Sequence, residues 1–196
     1  MKPALLTVIL FLFSQFQHEN WDVRIPIQSD KISLTEIGAF GIMRKARPRI
    51  PAHFHTGIDI RRPGNNYHFE PIYPIAPGIV ISRRDDGPFA QLIIEHNVAG
   101  NVFWSVYEHI AFIKADLHEE VYPDDPIAHF FNEELLDRYG WQFDHFHLEI
   151  LKRRPIKIQS TENIPFRHFM SYTLTCFTKD ELLDKFYDPL VFLNTK

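Results

Sequence analysis

The chain has 196 residues, 45% hydrophobic and 23% charged, which is enough apolar surface to close one core and too little length for two full domains. Lys and Arg number 21 against 25 Asp and Glu, a formal charge of −4; a duplex-binding protein carries a basic surplus, so nucleic acid is not an expected partner. A single cysteine, Cys176, excludes an internal disulfide and a cysteine-rich zinc site, whereas the 11 histidines are unusual and point to metal or acid–base chemistry.

In chain order, the first element is a targeting segment. Lys2 is followed by an uncharged apolar run at residues 4–13 (ALLTVILFLF), too short for a spanning helix of about 20 residues and built like a secretory signal. Residues 1–17 are therefore read as a signal peptide or N-terminal anchor. The expected location is exported, periplasmic or extracellular, with membrane association only through an uncleaved N-terminal segment. Residues 18–196 are read as one domain, since no linker-like stretch divides them.

The strand signals come next. Residues 72–82 are interrupted by prolines and then turn β-branched. Residues 91–95 (QLIIE) and 102–107 (VFWSVY) flank a polar connector at 96–101 that reads as a hairpin loop. A helix is predicted at 132–139 and a strand at 146–151. A second helix is predicted at 179–186, opened by a capping box of Thr178 and Glu181 and stopped by Asp188-Pro189. Many strands and few helices predict a mainly β, antiparallel domain.

The histidine pairs are weak signals singly. His145-Phe146-His147 places two imidazoles on one face of a strand, but His53-Phe54-His55 has the same spacing. In His55-Thr56-Gly57-Ile58-Asp59 the two ends are too far apart on a straight strand to share a metal, so the chain must bend, and Gly57 is the residue expected to permit it. His109, in Tyr107-Glu108-His109-Ile110, closes the strand before it.

Taken together, H-x-G-I-D, Y-x-H-I and H-x-H-L-E in this order resemble the lysostaphin-like family of zinc metallopeptidases that cleave bacterial peptidoglycan. Phe40-Gly41 with Arg44, the stretch 74–80 (PIAPGIV) and the stretch 187–193 (YDPLVFL) are similar to that family's flanking motifs. The resemblance implies a barrel-sandwich β-sheet peptidase domain with one zinc ion held by His55, Asp59 and His147. It implies that His145 and His109 are the catalytic histidines. Peptidoglycan peptide is then the substrate partner, cleaved by a zinc-activated water. His145, tied to the ligand strand, is assigned the general base, with exchange of the two roles left open. Glu149 shares their face and is read either as a support for a ligand N–H or as an exposed strand residue.

Two stretches depart from the family pattern, at about 130–144 and 152–186, and are read as insertions. The first stands where the family has a Gly-rich loop, so it is expected to be a lid, a groove wall or a plug. A plugged or silent relative that binds wall or regulates another hydrolase is the alternative function, and a peptidase acting on protein is a third. The other histidines are given plainer readings: His18, His68, His96, His118 and His168 as solvated, His53 as the rival of His55, and His129 as a residue without a site role, a place at the cleft border being its lesser alternative. Trp104, Tyr139, Trp141 and Phe143 are read as core or groove lining, and Cys176 as a buried small side chain.

Overall fold

The computed structural model describes residues 22–194; the expected signal segment at 1–17 lies outside them. In chain order the strands are β1 (Met43–Arg44), β2 (His53–Phe54), β3 (Ile58–Arg61), β4 (Pro71–Ile72), β5 (Gly78–Arg84), β6 (Gln91–Val98), β7 (Asn101–Glu108), β8 (Glu120–Val121), β9 (Ala128–His129), β10 (His145–Leu151), β11 (Ile156–Lys157), β12 (Phe169–Met170) and β13 (Phe186–Tyr187). Among the described residues there are three short α-helices: α1 (Glu133–Tyr139), α2 (Lys179–Lys185) and α3 (Pro189–Leu193). The mainly β, antiparallel class expected from the sequence is the one found.

A seven-stranded antiparallel sheet dominates, in the order β13-β10-β7-β6-β5-β8, with β3 pairing β10. β10 carries β7 along one edge. Its other edge is shared, β3 taking His145 to Leu148 and β13 taking Ile150 and Leu151. The alternation of β10 decides the layers. Phe146, Leu148 and Ile150 enter the main core with Ile58, Ile60, Phe103 and Tyr107, while His145, His147, Glu149 and Leu151 point to the other face. That second face is apolar only at one end, where Leu151, Trp104, Val106, Ile93 and Phe186 pack with Cys176 and Leu182. The other end is polar and holds the site. Trp104 and Cys176 are therefore core residues.

Three sequence readings need correction. The polar connector at 96–101 is mostly strand: β6 continues to Val98, β7 starts at Asn101, and only Ala99 and Gly100 turn, both at positive φ, the backbone of the tightest hairpins. His96, read as solvated, is fully buried. Its polar sequence neighbours hid that its ring faces the core, where Nδ1–H donates to the Pro77 carbonyl (2.9 Å) and Nε2 accepts from the Ser105 hydroxyl (2.7 Å). The predicted strand at 72–82 is split, because Pro74 and Pro77 separate β4 from β5. The α2 helix carries the expected capping box. No helix among the described residues is long and apolar enough to cross a membrane.

Candidate metal centre

Three side chains converge on the polar end of the second sheet face. His55 follows β2, Asp59 lies in β3, and His147 lies opposite Asp59 in β10. The loop before them fixes their backbone: His55 N–H donates to the Ile42 carbonyl, Gly41 N–H to the His55 carbonyl, and Asp59 N–H to the Gly38 carbonyl. The chain bends at Gly57 as expected, and the glycine is needed for a second reason. A Cβ there would stand 2.2 Å from the Leu148 carbonyl oxygen and 2.8 Å from Cε1 of His147. Only a residue without a side chain lets β3 approach β10 this closely.

His55 Nε2 is 3.1 Å from Asp59 Oδ1 and 3.0 Å from His147 Nδ1, and His147 Nδ1 is 3.0 Å from the same Asp59 oxygen. All three residues are buried. The far nitrogen of each ring is already engaged. His55 Nδ1–H donates to the Ala39 carbonyl (2.9 Å), and His147 Nε2–H donates to Glu149 Oε1 (3.1 Å). These bonds fix both tautomers so that the inward nitrogens present lone pairs. Arg44 takes the outer Asp59 oxygen at 2.7 Å, leaving Oδ1 to face the rings. Two lone-pair nitrogens and an anionic oxygen aimed at one point suit a cation. Bonds of about 2.0–2.2 Å to a tetrahedral zinc would set neighbouring donors about 3.3–3.6 Å apart, close to the spacing found. The donor set fits zinc.

The electrostatics agree. Burial alone would raise the Asp59 carboxyl, but its hydrogen bonds to His147 and His55 outweigh that and hold it well below the usual carboxylate range. Burial likewise opposes a charge on His147, yet Asp59 and Glu149 push its pKa up to about 10. Without a metal, a proton occupies this place, and a bound metal must displace it. Of the two readings weighed above for Glu149, the structure has the support for a ligand-ring N–H and not the exposed residue, since it is fully buried against His147. It stays ionised against its burial because His147, Ser171 and Thr56 all donate to it. Thr56 Oγ1 is 2.5 Å from Oε1, Thr173 Oγ1 is 2.8 Å from the same oxygen, and Ser171 Oγ donates to Oε2. Thr56 sits inside the H-x-x-x-D stretch and was legible as a neighbour. Ser171 and Thr173 carry no sequence signal, since they return from the 152–186 segment.

His145 borders the triangle, its Nε2 3.7 Å from Asp59 Oδ1, and its ring stands edge-on to His109 with centroids 5.3 Å apart. Burial lowers the pKa of both, that of His109 to about 3. Both rings are thus neutral at pH 7. His109, at φ 62°, donates from Nδ1 to the Pro88 carbonyl at 2.6 Å, which leaves Nε2 as an acceptor. His53 stays outside the cluster, held by the Pro51 carbonyl. His129 lies instead between Phe69 and Phe112.

The 130–144 stretch forms a wall beside these rings. Phe143 packs on His109 at 4.9 Å and on Phe89 at 6.1 Å. Arg62 pins the stretch: it donates to Asp144 Oδ1 (3.0 Å) and to the Phe131 carbonyl (2.5 Å), and its guanidinium lies over Tyr67 and Phe130. Trp141 is half exposed, against the edge of Tyr67.

No family model matches the chain, and the comparison with curated proteins found no match. Solved structures are similar in fold. A zinc-containing peptidase from Vibrio cholerae is 25% identical with a TM-score of 0.52, the match covering 72% of this chain and 41% of that one. The chain thus spans well under half of that protein's length. The catalytic domain of the prophage-encoded M23 protein EnpA from Enterococcus faecalis is 22% identical with a TM-score of 0.43, covering 74% of this chain and 92% of that one. A chain of the complex of SpoIIIAH and SpoIIQ is 17% identical with a TM-score of 0.46, covering 66% and 92%.

Proposed function

We propose that this chain is a zinc-dependent endopeptidase of the lysostaphin-like family, acting outside the cytoplasm on the peptides of bacterial peptidoglycan. The observation that carries the reading is the donor triangle, in which two imidazole nitrogens and one carboxylate oxygen converge on a single point that a cation can occupy. The motifs around it and the likeness to a zinc-containing peptidase support the same conclusion. His55, Asp59 and His147 would hold the ion.

Zinc in that position supplies Lewis acidity for a peptide carbonyl and brings the pKa of a coordinated water to about 7. The chain's own residues do the rest. Arg44 keeps Asp59 turned inward, and Glu149 keeps His147 turned inward. His109 and His145, both neutral, stand ready to take and return a proton beside the triangle. The Pro88 carbonyl holds the proton of His109 on Nδ1, so its Nε2 is the acceptor, and His145 lies between it and the triangle to position or stabilise the reacting oxygen. Phe143 and Phe89 shield these rings from water.

The test is mass spectrometry of purified peptidoglycan digested by the zinc-loaded protein, beside chelator-treated protein and a His145→Ala variant. New peptide termini that vanish in both controls are the expected result. Zinc bound at one per chain with no new termini from any wall preparation would overturn the peptidase reading and leave a silent relative.

A further inference from the structure

The polar face continues well beyond the triangle. Register places Asp59, His147, Glu108, Gln91 and Arg84 directly opposite one another on five successive strands. Paired residues share a face, so these side chains form one row across the sheet. The neighbouring row, Glu149, Val106, Ile93 and Ser82, is covered. The Ser82 hydroxyl takes the His168 and Phe169 N–H groups at 3.0 and 3.1 Å, and Ser171 and Thr173 sit on Glu149. The segment 168–173 therefore flanks the row on one side, and Phe89, His109 and Phe143 flank it on the other.

The row ends in two arginines. Arg84 is neutralised by Asp86 at 2.6 Å and lies over Phe89. Arg167, immediately before the segment 168–173, is held by its backbone N–H to Ile164. It has no ion pair among the described residues, and its Nε is buried without a partner. Its two neighbours place it at this end of the row, since the Phe166 carbonyl accepts from Arg83 N–H and His168 N–H donates to Ser82 Oγ, both at 3.0 Å. Arg167 as a whole is only partly buried, so a carboxylate, whose geometry matches the guanidinium fork, can meet its outer N–H groups.

We propose that Arg167, with Arg84, forms a subsite for a carboxylate of the bound peptide. This deepens the peptidase reading and rests on it. From His147 to Arg84 the row crosses three strand spacings, about 14 Å, which an extended peptide covers in about four residues. Glu108, lying between, offers carboxyl oxygens to peptide N–H groups. The row thus selects peptides whose negative end lies about four residues from the scissile bond, on the side away from β3.

The probes are muramidase-solubilised wall peptides, with their carboxyl groups free or converted to amides. Binding is read by calorimetry on zinc-loaded protein kept from turnover by His145→Ala, and cleavage is read separately on the wild type. Amidation is expected to weaken binding about tenfold at low salt. Arg167→Gln should produce the same loss for free-acid peptides and none for amides, while Arg167→Lys recovers part and zinc stoichiometry is unchanged in both. Equal binding of free and amidated peptides, or no binding of either, would overturn the subsite. Arg167-dependent binding without cleavage by the wild type would sustain the subsite and sink the peptidase reading. Equal cleavage of both forms would do the reverse.

Discussion

His147 and His96 are both buried in one sheet, on opposite faces, and the two faces do opposite things to an imidazole. His96 meets one carbonyl and one hydroxyl, and burial takes its pKa down to about 4. Burial works against His147 too, but two carboxylates push its pKa up to about 10. Burial alone therefore makes a structural histidine. A ring seated between anions becomes a place for a proton or a metal. The contrast separates two kinds of histidine that composition cannot separate.

The sharpest way to break the comparison is to exchange roles by mutation. His147→Ala should abolish zinc binding and lower cleavage by about a thousandfold or more, as metal analysis and assay would show. His96→Asn should leave zinc at its wild-type stoichiometry. If His96→Asn lost the metal, the two faces would not be independent.

Acid should sharpen it next. The folded pKa of His96, about 4, lies below the free value of about 6.5, so the unfolded chain takes the proton first. Its contribution to stability is full above pH 6.5 and falls as the pH drops toward 4, by up to about 3 kcal/mol. Urea unfolding of wild type and His96→Gln at pH 7.5 and 4.5 should show the smaller acid loss in the variant. For His147 in metal-free protein the sign reverses: its contribution is full below pH 6.5 and is lost as the pH rises through about 10. Zinc binding at pH 7.5 should therefore release about one proton, measured by calorimetry in buffers of different ionisation enthalpy.

Smaller effects probe the anion beside His147. Glu149→Gln should weaken zinc about 10- to 100-fold, read by chelator competition. Thr173→Val and Ser171→Ala should each weaken it by about three- to tenfold, and Thr173→Ser should restore it. Unchanged affinity in both hydroxyl variants would mean that the segment from 168 to 173 only covers Glu149.

Much of this was legible beforehand. The alternation in 146–151 set the two faces of β10, and three short motifs named the residues of the triangle and the two rings beside it. What stayed hidden was what depends on distant chain returning. Ser171 and Thr173 look like ordinary polar residues until they meet Glu149. The bend at Gly57 was legible, but its second role was not, because the approach of the Leu148 carbonyl is a property of pairing and not of local sequence. His96 was misjudged because Asn97 beside it is polar, whereas strand alternation turns the two residues to opposite faces.

Order of synthesis gives the Glu149 buttress a timing. A growing chain has made His55, Asp59, His147 and Glu149 before it makes Ser171, 22 residues beyond Glu149, or Thr173, 24 residues beyond it. Until those hydroxyls fold back, the carboxylate beside His147 lacks two of its donors, and a poorly compensated buried charge is costly. The nascent polypeptide thus carries every residue of the triangle early but completes the support of His147 late, when the segment from 168 to 173 closes over the sheet.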